Sequence, residues 1–266
     1  MPRRGQGCCG SRGIGLAALL AAFCVTALLY ASVGFGGGST YSALLALSGM
    51  DYRLLPVVSL LCNLVVVSGG TLRFARAGIT PWRGALGLTA IAAPAALLGG
   101  LTPIREQAFM ALLGASLCLA GALLLLPQTS ARAAPDGEPA PRHAKRAMLL
   151  AAAPLGYLAG LVGIGGGIFL APLLHLVRWN GPRAIAATAS LFILVNSLFG
   201  LVGQLSKNGA DMLGAAASTG LPLMIAVVIG GQIGSLFAVR LFKPQLIRWL
   251  TAALTLFVGV RLLAGG

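Results

Sequence analysis

The sequence predicts an all-α, polytopic integral membrane protein made of two homologous halves, with about 8–10 membrane helices or half-helices. Three observations carry this reading. Of the 266 residues, 58% are hydrophobic and only 9% are charged, with a mean hydropathy of +0.92. A soluble domain carries about 25% charged residues, so this chain cannot cover a water-facing surface, and a soluble enzyme or binding module is excluded. The charges punctuate long apolar runs, and a glycine-rich interruption occurs once in each half. The balance of 19 basic and 5 acidic residues, net +14, would suggest nucleic acid in a soluble protein. Here it matches the basic loops of membrane proteins, and no nucleic-acid-binding motif accompanies it. The 38 glycines follow no triplet period, which excludes collagen.

Charge-free intervals mark the spans, taken in order: 13–50, 54–72, 84–104, 107–131, 147–177, 184–206, 212–239 and 249–260. A helix needs about 20 apolar residues to cross a bilayer. Most intervals fit one helix, and the last is bracketed by Arg248 and Arg261, which can reach the headgroups. Intervals 13–50 and 147–177 are too long for one plain helix, and both are broken by glycine. The first break is Gly34-Phe35-Gly36-Gly37-Gly38 and the second Gly163-Ile164-Gly165-Gly166-Gly167. Gly99-Gly100 answers Gly230-Gly231, and Ser59 with Asn63 answers Ser190 with Asn196. The expected organisation is therefore an N-terminal tail 1–13, a repeat 14–127, a solvated linker 128–146 and a second repeat 147–264. Leu16–Val33 has its counterpart inside the chain at Met148–Val162 and is expected to be a permanent helix rather than a signal peptide. Basic residues do not settle the topology. Whether the broken segments cross once or turn back, they divide 12 to 7, so parallel and inverted repeats both stand.

The paired breaks are the sharpest functional feature. Glycine permits a close approach of backbone to ligand, and unpaired backbone groups survive in a membrane only inside protein or along a watery cavity. Half-helices starting after Gly38 and Gly167 would aim free N–H groups and a positive dipole end at an anion. The expected substrate-binding set is Gly36, Gly37, Gly38, Ser39, Thr40 and Asn63 in the first half, with Gly165, Gly166, Gly167, Ser190 and Asn196 in the second. Arg73, Gln204, Gln232 and His175 are candidates for a gate or for anion attraction. Close helix packing by small residues is the competing account of the glycines. The five carboxylates lie in loops or at span ends, which argues against a metal-cation carrier. Trp82, Trp179 and Trp249 are expected to anchor at the interface. Neither the cysteines nor any other cluster suggests a metal or cofactor.

These motifs resemble the sulfite exporter TauE/SafE family. The resemblance rests on Gly-Phe-Gly-Gly-Gly-Ser at 34–39, on Leu-Val-Gly-Ile-Gly-Gly-Gly-Ile-Phe-Leu-Ala-Pro at 161–172, on the Ser190 to Asn196 helix and on Gly230-Gly231. Pro172 matches the family's proline, where the first half has Ala43-Leu44. The resemblance implies a bacterial inner-membrane permease for a small sulfur-containing anion such as sulfite or an organosulfonate. It also implies secondary transport on an ion gradient, with Gly36–Gly38 and Gly165–Gly167 at the substrate site and Asn63 and Asn196 nearby. The partners expected are that anion, the lipid bilayer, a coupling proton or other ion and, as an open option, a second copy of the chain. A partner-dependent membrane subunit is the alternative, and an intramembrane enzyme a more remote one.

Overall fold

The computed structural model describes residues 15–33, 36–126, 142–209, 211–237 and 244–265. The tail with Cys8 and Cys9, Gly34-Phe35 of the first break and the linker up to Pro141 lie outside the described residues. Among the described residues ten helices follow one another: α1 (Leu16–Val33), α2 (Gly38–Leu47), α3 (Leu54–Arg76), α4 (Trp82–Leu101) and α5 (Glu106–Leu125), then α6 (Arg142–Val162), α7 (Gly167–Leu176), α8 (Pro182–Asn208), α9 (Asp211–Phe237) and α10 (Pro244–Leu263). Six of them are long and apolar enough to cross a membrane, so the chain is a multi-pass membrane protein. The order long, short, long, long, long occurs in both halves. The short second helix is the product of the glycine break, where a stretch too long for one helix is divided in two. Helix α6 starts earlier than its apolar run, with Lys145 and Arg146 exposed in its first turns.

Turn chemistry closes the short helices. Gly49, at φ +73°, ends α2 with the Met50 N–H donating to the Leu45 carbonyl at 3.2 Å. At the matching place after α7 stands Arg178, at φ +51°, with the Trp179 N–H donating to the Leu174 carbonyl at 2.9 Å. The left-handed conformation costs a non-glycine residue roughly 1–2 kcal/mol. Helix α8 begins with Pro182 in its first turn, where a missing N–H costs nothing.

Helix pairing is built on small residues. Side chains at Gly230 and Gly234 of α9 would strike the carbonyls of Cys24 and Leu28 in α1. Gly156 and Gly160 of α6 meet Ala92 and Ala96 of α4 in the same way. Residue numbers rise together in both pairs, so each runs parallel. Gly220 and Gly231 of α9 face Val58 and Val66 of α3, again parallel. In contrast, Gly114 of α5 lies against Gly259 of α10 and Gly121 against Leu256, an antiparallel pair. The start of α3, the ends of α4 and α8 and the start of α9 share one end of the bundle, where Arg53, Pro103, Lys207 and Met212 line one cavity. Helices α1, α3, α5 and α9 thus run one way, and α4, α6, α8 and α10 the other. Helices α3 and α8 form the centre, with 67% of each spanning window buried against 28% for α9.

Trp179 corrects an expectation. Trp82 and Trp249 are exposed as interface anchors should be, but Trp179 is buried. Gly84, at the start of α4, leaves room for its ring; a side chain there would begin 3.0 Å from it.

Candidate functional site

Both glycine breaks arrive at the middle of α3. Gly37 caps α2 and Gly166, at φ +78°, caps α7. A left-handed φ of this kind, shared by Gly163 and Gly165 at +80°, is what glycine supplies without cost. The backbone then passes so close to its neighbours that no larger residue fits. A side chain at Gly38 would strike the Ile164 carbonyl and the Asn63 amide, and one at Gly36 would start 2.9 Å from Asn63 Oδ1. A side chain at Gly165 would start 2.9 Å from Asn63 Nδ2 and 3.0 Å from Ser197 Oγ, and one at Gly167 would strike Ile193. Asn63 therefore stands between the two breaks. Its Nδ2 donates to the Ile164 carbonyl at 3.2 Å, a bond spanning 101 positions of sequence.

The polar groups around it fall into two sets. One is satisfied: Ser59 Oγ donates to the Gly38 carbonyl at 3.2 Å and pairs with Ser42 Oγ at 3.0 Å. Tyr30 OH donates to Thr251 Oγ1 at 2.7 Å and pairs with Thr40 Oγ1 at 3.0 Å, joining α1, α2 and α10. The other set is buried without a partner: Asn63 Oδ1, both amide atoms of Asn196, and Ser197 Oγ. Such groups are rare in folded proteins, and each needs an explanation. Here two of the residues that carry them, Asn63 and Ser197, converge with Ile193 on Gly165. The set carries no charge. It combines amide and hydroxyl groups with the N-terminal turns of α2 and α7, whose first N–H groups have no intrahelical acceptor.

The expected residues separate accordingly. Gly36, Gly38, Gly165, Gly167 and Asn63 come together, with Asn196 buried beside Ser197 on α8. Gly37 packs instead on Tyr41 and Thr26, and Gly166 on Phe192. Ser39 and Thr40 occupy the buried first turn of α2, and Ser190 is buried nearly two turns before Asn196. Gln204 is a capping group: its Nε2 donates to the Gly160 and Leu161 carbonyls at 3.0 and 3.1 Å, at the end of α6 where the ladder stops. Arg73 and Gln232 line a cleft of about 220 Å³ between α3 and α9, together with Ser68. His175 ends α7, away from the breaks. Sequence reasoning missed Ile193, Val67 and the Ile164 carbonyl, because apolar side chains and backbone oxygens carry no chemical signature. Tyr30 and Thr251 were missed as well, since their partnership joins residues 221 apart.

Comparison with known proteins agrees with this architecture. The family described as sulfite exporter TauE/SafE matches residues 18–262. A probable membrane transporter protein of Sinorhizobium fredii is 32% identical over 256 residues, covering 95% of this chain and 99% of the relative. A probable membrane transporter protein of Methanocaldococcus jannaschii is 31% identical over 74 residues, 28% of this chain and 27% of the relative. No solved structure matches. Both relatives are described as probable membrane transporters rather than enzymes, and over nearly its full length the chain belongs to the sulfite exporter TauE/SafE family.

Proposed function

We propose that this membrane transporter is a secondary permease of a bacterial inner membrane, carrying a small sulfur-containing anion such as sulfite or an organosulfonate. The single observation behind this reading is Asn63 held between two glycine breaks, with Asn63 Oδ1, the Asn196 amide and Ser197 Oγ buried without partners. An oxyanion bound there would accept hydrogen bonds from Asn196 Nδ2, Ser197 Oγ and the first-turn N–H groups of α2 and α7, and both half-helix dipoles would favour its charge.

Position along α3 supports a mid-membrane site. Arg53 and Arg73 stand ten residues to either side of Asn63, about 15 Å each way along a helix, and the bilayer core is about 30 Å thick. The opposed directions of α5 and α10 favour reading the halves as inverted repeats, whose exchange of packing around Asn63 gives alternating access. Each broken segment then turns back at mid-membrane. Among the described residues, Arg73, Arg76, Arg83, Lys145, Arg146, Arg178, Arg183 and Arg248 gather on the linker side, against Arg53, Arg105, Lys207 and Arg261 on the other, which favours a cytoplasmic linker side. The energy source is a proton or other ion gradient.

The test is uptake of labelled sulfite and sulfoacetate into proteoliposomes, with sulfate and chloride as controls, with and without a pH gradient. Saturable flux of one sulfur anion is expected. Absence of flux for every sulfur anion from folded protein would overturn the substrate class and favour a subunit that works only with a partner.

A further inference from the structure

The cavity opposite the Arg73 cleft is the larger of the two, about 340 Å³, within the usual range for small-molecule sites. It opens at the end of the bundle that carries Arg53, and its floor is Pro56, Leu161 and Gln204. That floor is the second break seen from outside: Gly163, two residues after Leu161, packs directly on Pro56, 2.7 Å from where its side chain would start to Pro56 Cβ. Two cations line the walls. Lys207 Nζ donates to the Thr102 carbonyl at 3.2 Å, which leaves two of its three donors available. Arg53 is exposed; its Nε donates to Tyr52 OH at 3.1 Å, and its remaining N–H groups stay free of that bond. Asn208 lines the cavity too, with its amide nitrogen buried and unpartnered. Asp51 is occupied with the Arg53 backbone N–H at 2.8 Å and does not line the cavity. Pro103, Ile104 and Phe109 add apolar surface to the lining.

A lining that combines cations and an amide donor with apolar surface suits a molecule that has both an acid group and a carbon body. We infer that this cavity is a peripheral docking site for a small organic oxyanion, in which Lys207 and Arg53 hold the acid group and Ile104 contacts the organic part. The inference rests on the transport reading above for its purpose, an anteroom to the central site, but its chemistry stands on this cavity alone. Gln204 connects the two. Its amide hydrogens now cap the α6 carbonyls beside the break, and an oxyanion at the cavity floor competes for them, loosening the end of α6.

Equilibrium binding of ethanesulfonate and of sulfite to the purified protein in detergent separates the two readings. Wild-type protein is expected to bind ethanesulfonate at two sites. Lys207→Met is expected to remove one of them, with binding there weakened at least roughly tenfold as a charge-assisted hydrogen bond is lost. Lys207→Arg is expected to retain it, which shows that the Met variant is not merely misfolded. Ile104→Ala is expected to weaken ethanesulfonate several-fold and leave sulfite unchanged. Asn63→Leu is expected to remove the other site only. A single isotherm that Asn63→Leu abolishes and Lys207→Met leaves untouched would overturn the docking site while the central site stands. Loss on Lys207→Met alone, with Asn63→Leu silent, would uphold the docking site and overturn the central one. No binding at all, or displacement by micromolar dihexanoyl phosphatidylglycerol, which would assign the cavity to a lipid headgroup, would also overturn the inference.

Discussion

Asn196 is buried on α8 with neither amide atom paired, and a group left in that condition costs roughly 1–3 kcal/mol. Leucine has nearly the same shape and no polar atoms. Asn196→Leu is therefore expected to hold or raise the melting temperature of the purified protein while abolishing flux in proteoliposomes. A structural asparagine would show the opposite, lower stability with flux in proportion to folded protein. Arg178 offers a prediction on stability alone. Its φ of +51° closes α7 where Gly49 closes α2, so Arg178→Gly is expected to stabilise the protein by about 1 kcal/mol, measured by thermal unfolding with transport unchanged. Asn63 and Asn196 could be picked out from the sequence because an amide inside an apolar helix is conspicuous. Ile193 could not, although it touches three of the glycines.

Helices α2 and α7 owe their ten-residue length to the breaks before them, and the breaks are visible in the sequence because only glycine tolerates such backbone geometry and proximity. The other glycines have a different task. Gly156 and Gly160 let α6 lie on α4, and Gly230 and Gly234 let α9 lie on α1, in accord with the small-residue packing of membrane helices. Gly160→Val and Gly234→Val are expected to lower the yield of monodisperse protein severalfold, whereas Gly36→Ala, whose added carbon meets the side chains of Val67 and Asn63 rather than a helix backbone, is expected to cost less yield and to reduce flux per folded molecule. Size-exclusion chromatography of matched preparations, followed by transport per folded molecule, checks the distinction. Packing and site glycines look alike in sequence. What separates them is the neighbour, the backbone of a packed helix in one case and the group of Asn63, Ile193 and the Ile164 carbonyl in the other, and that neighbour lies far away along the chain.

Order and spacing in the sequence suggest two halves, but they do not give the directions in which the helices run. Basic residues divide equally under either topology, whereas the rising numbers along α1 and α9 and the falling ones along α5 and α10 specify direction at once. Those pairings put one arginine-bearing cavity at each end, with the Asn63 site between them and buried from both. A transporter of this design must open to one side at a time. The most direct test is thiol labelling of Ser197→Cys, in a background with the five native cysteines replaced, using a membrane-impermeant reagent applied to each face of oriented vesicles. Labelling from both faces, slowed by sulfite or another transported anion, is the expected result. Access from one face only, or labelling that no sulfur anion slows, would contradict a mid-membrane anion site reached alternately from the two sides.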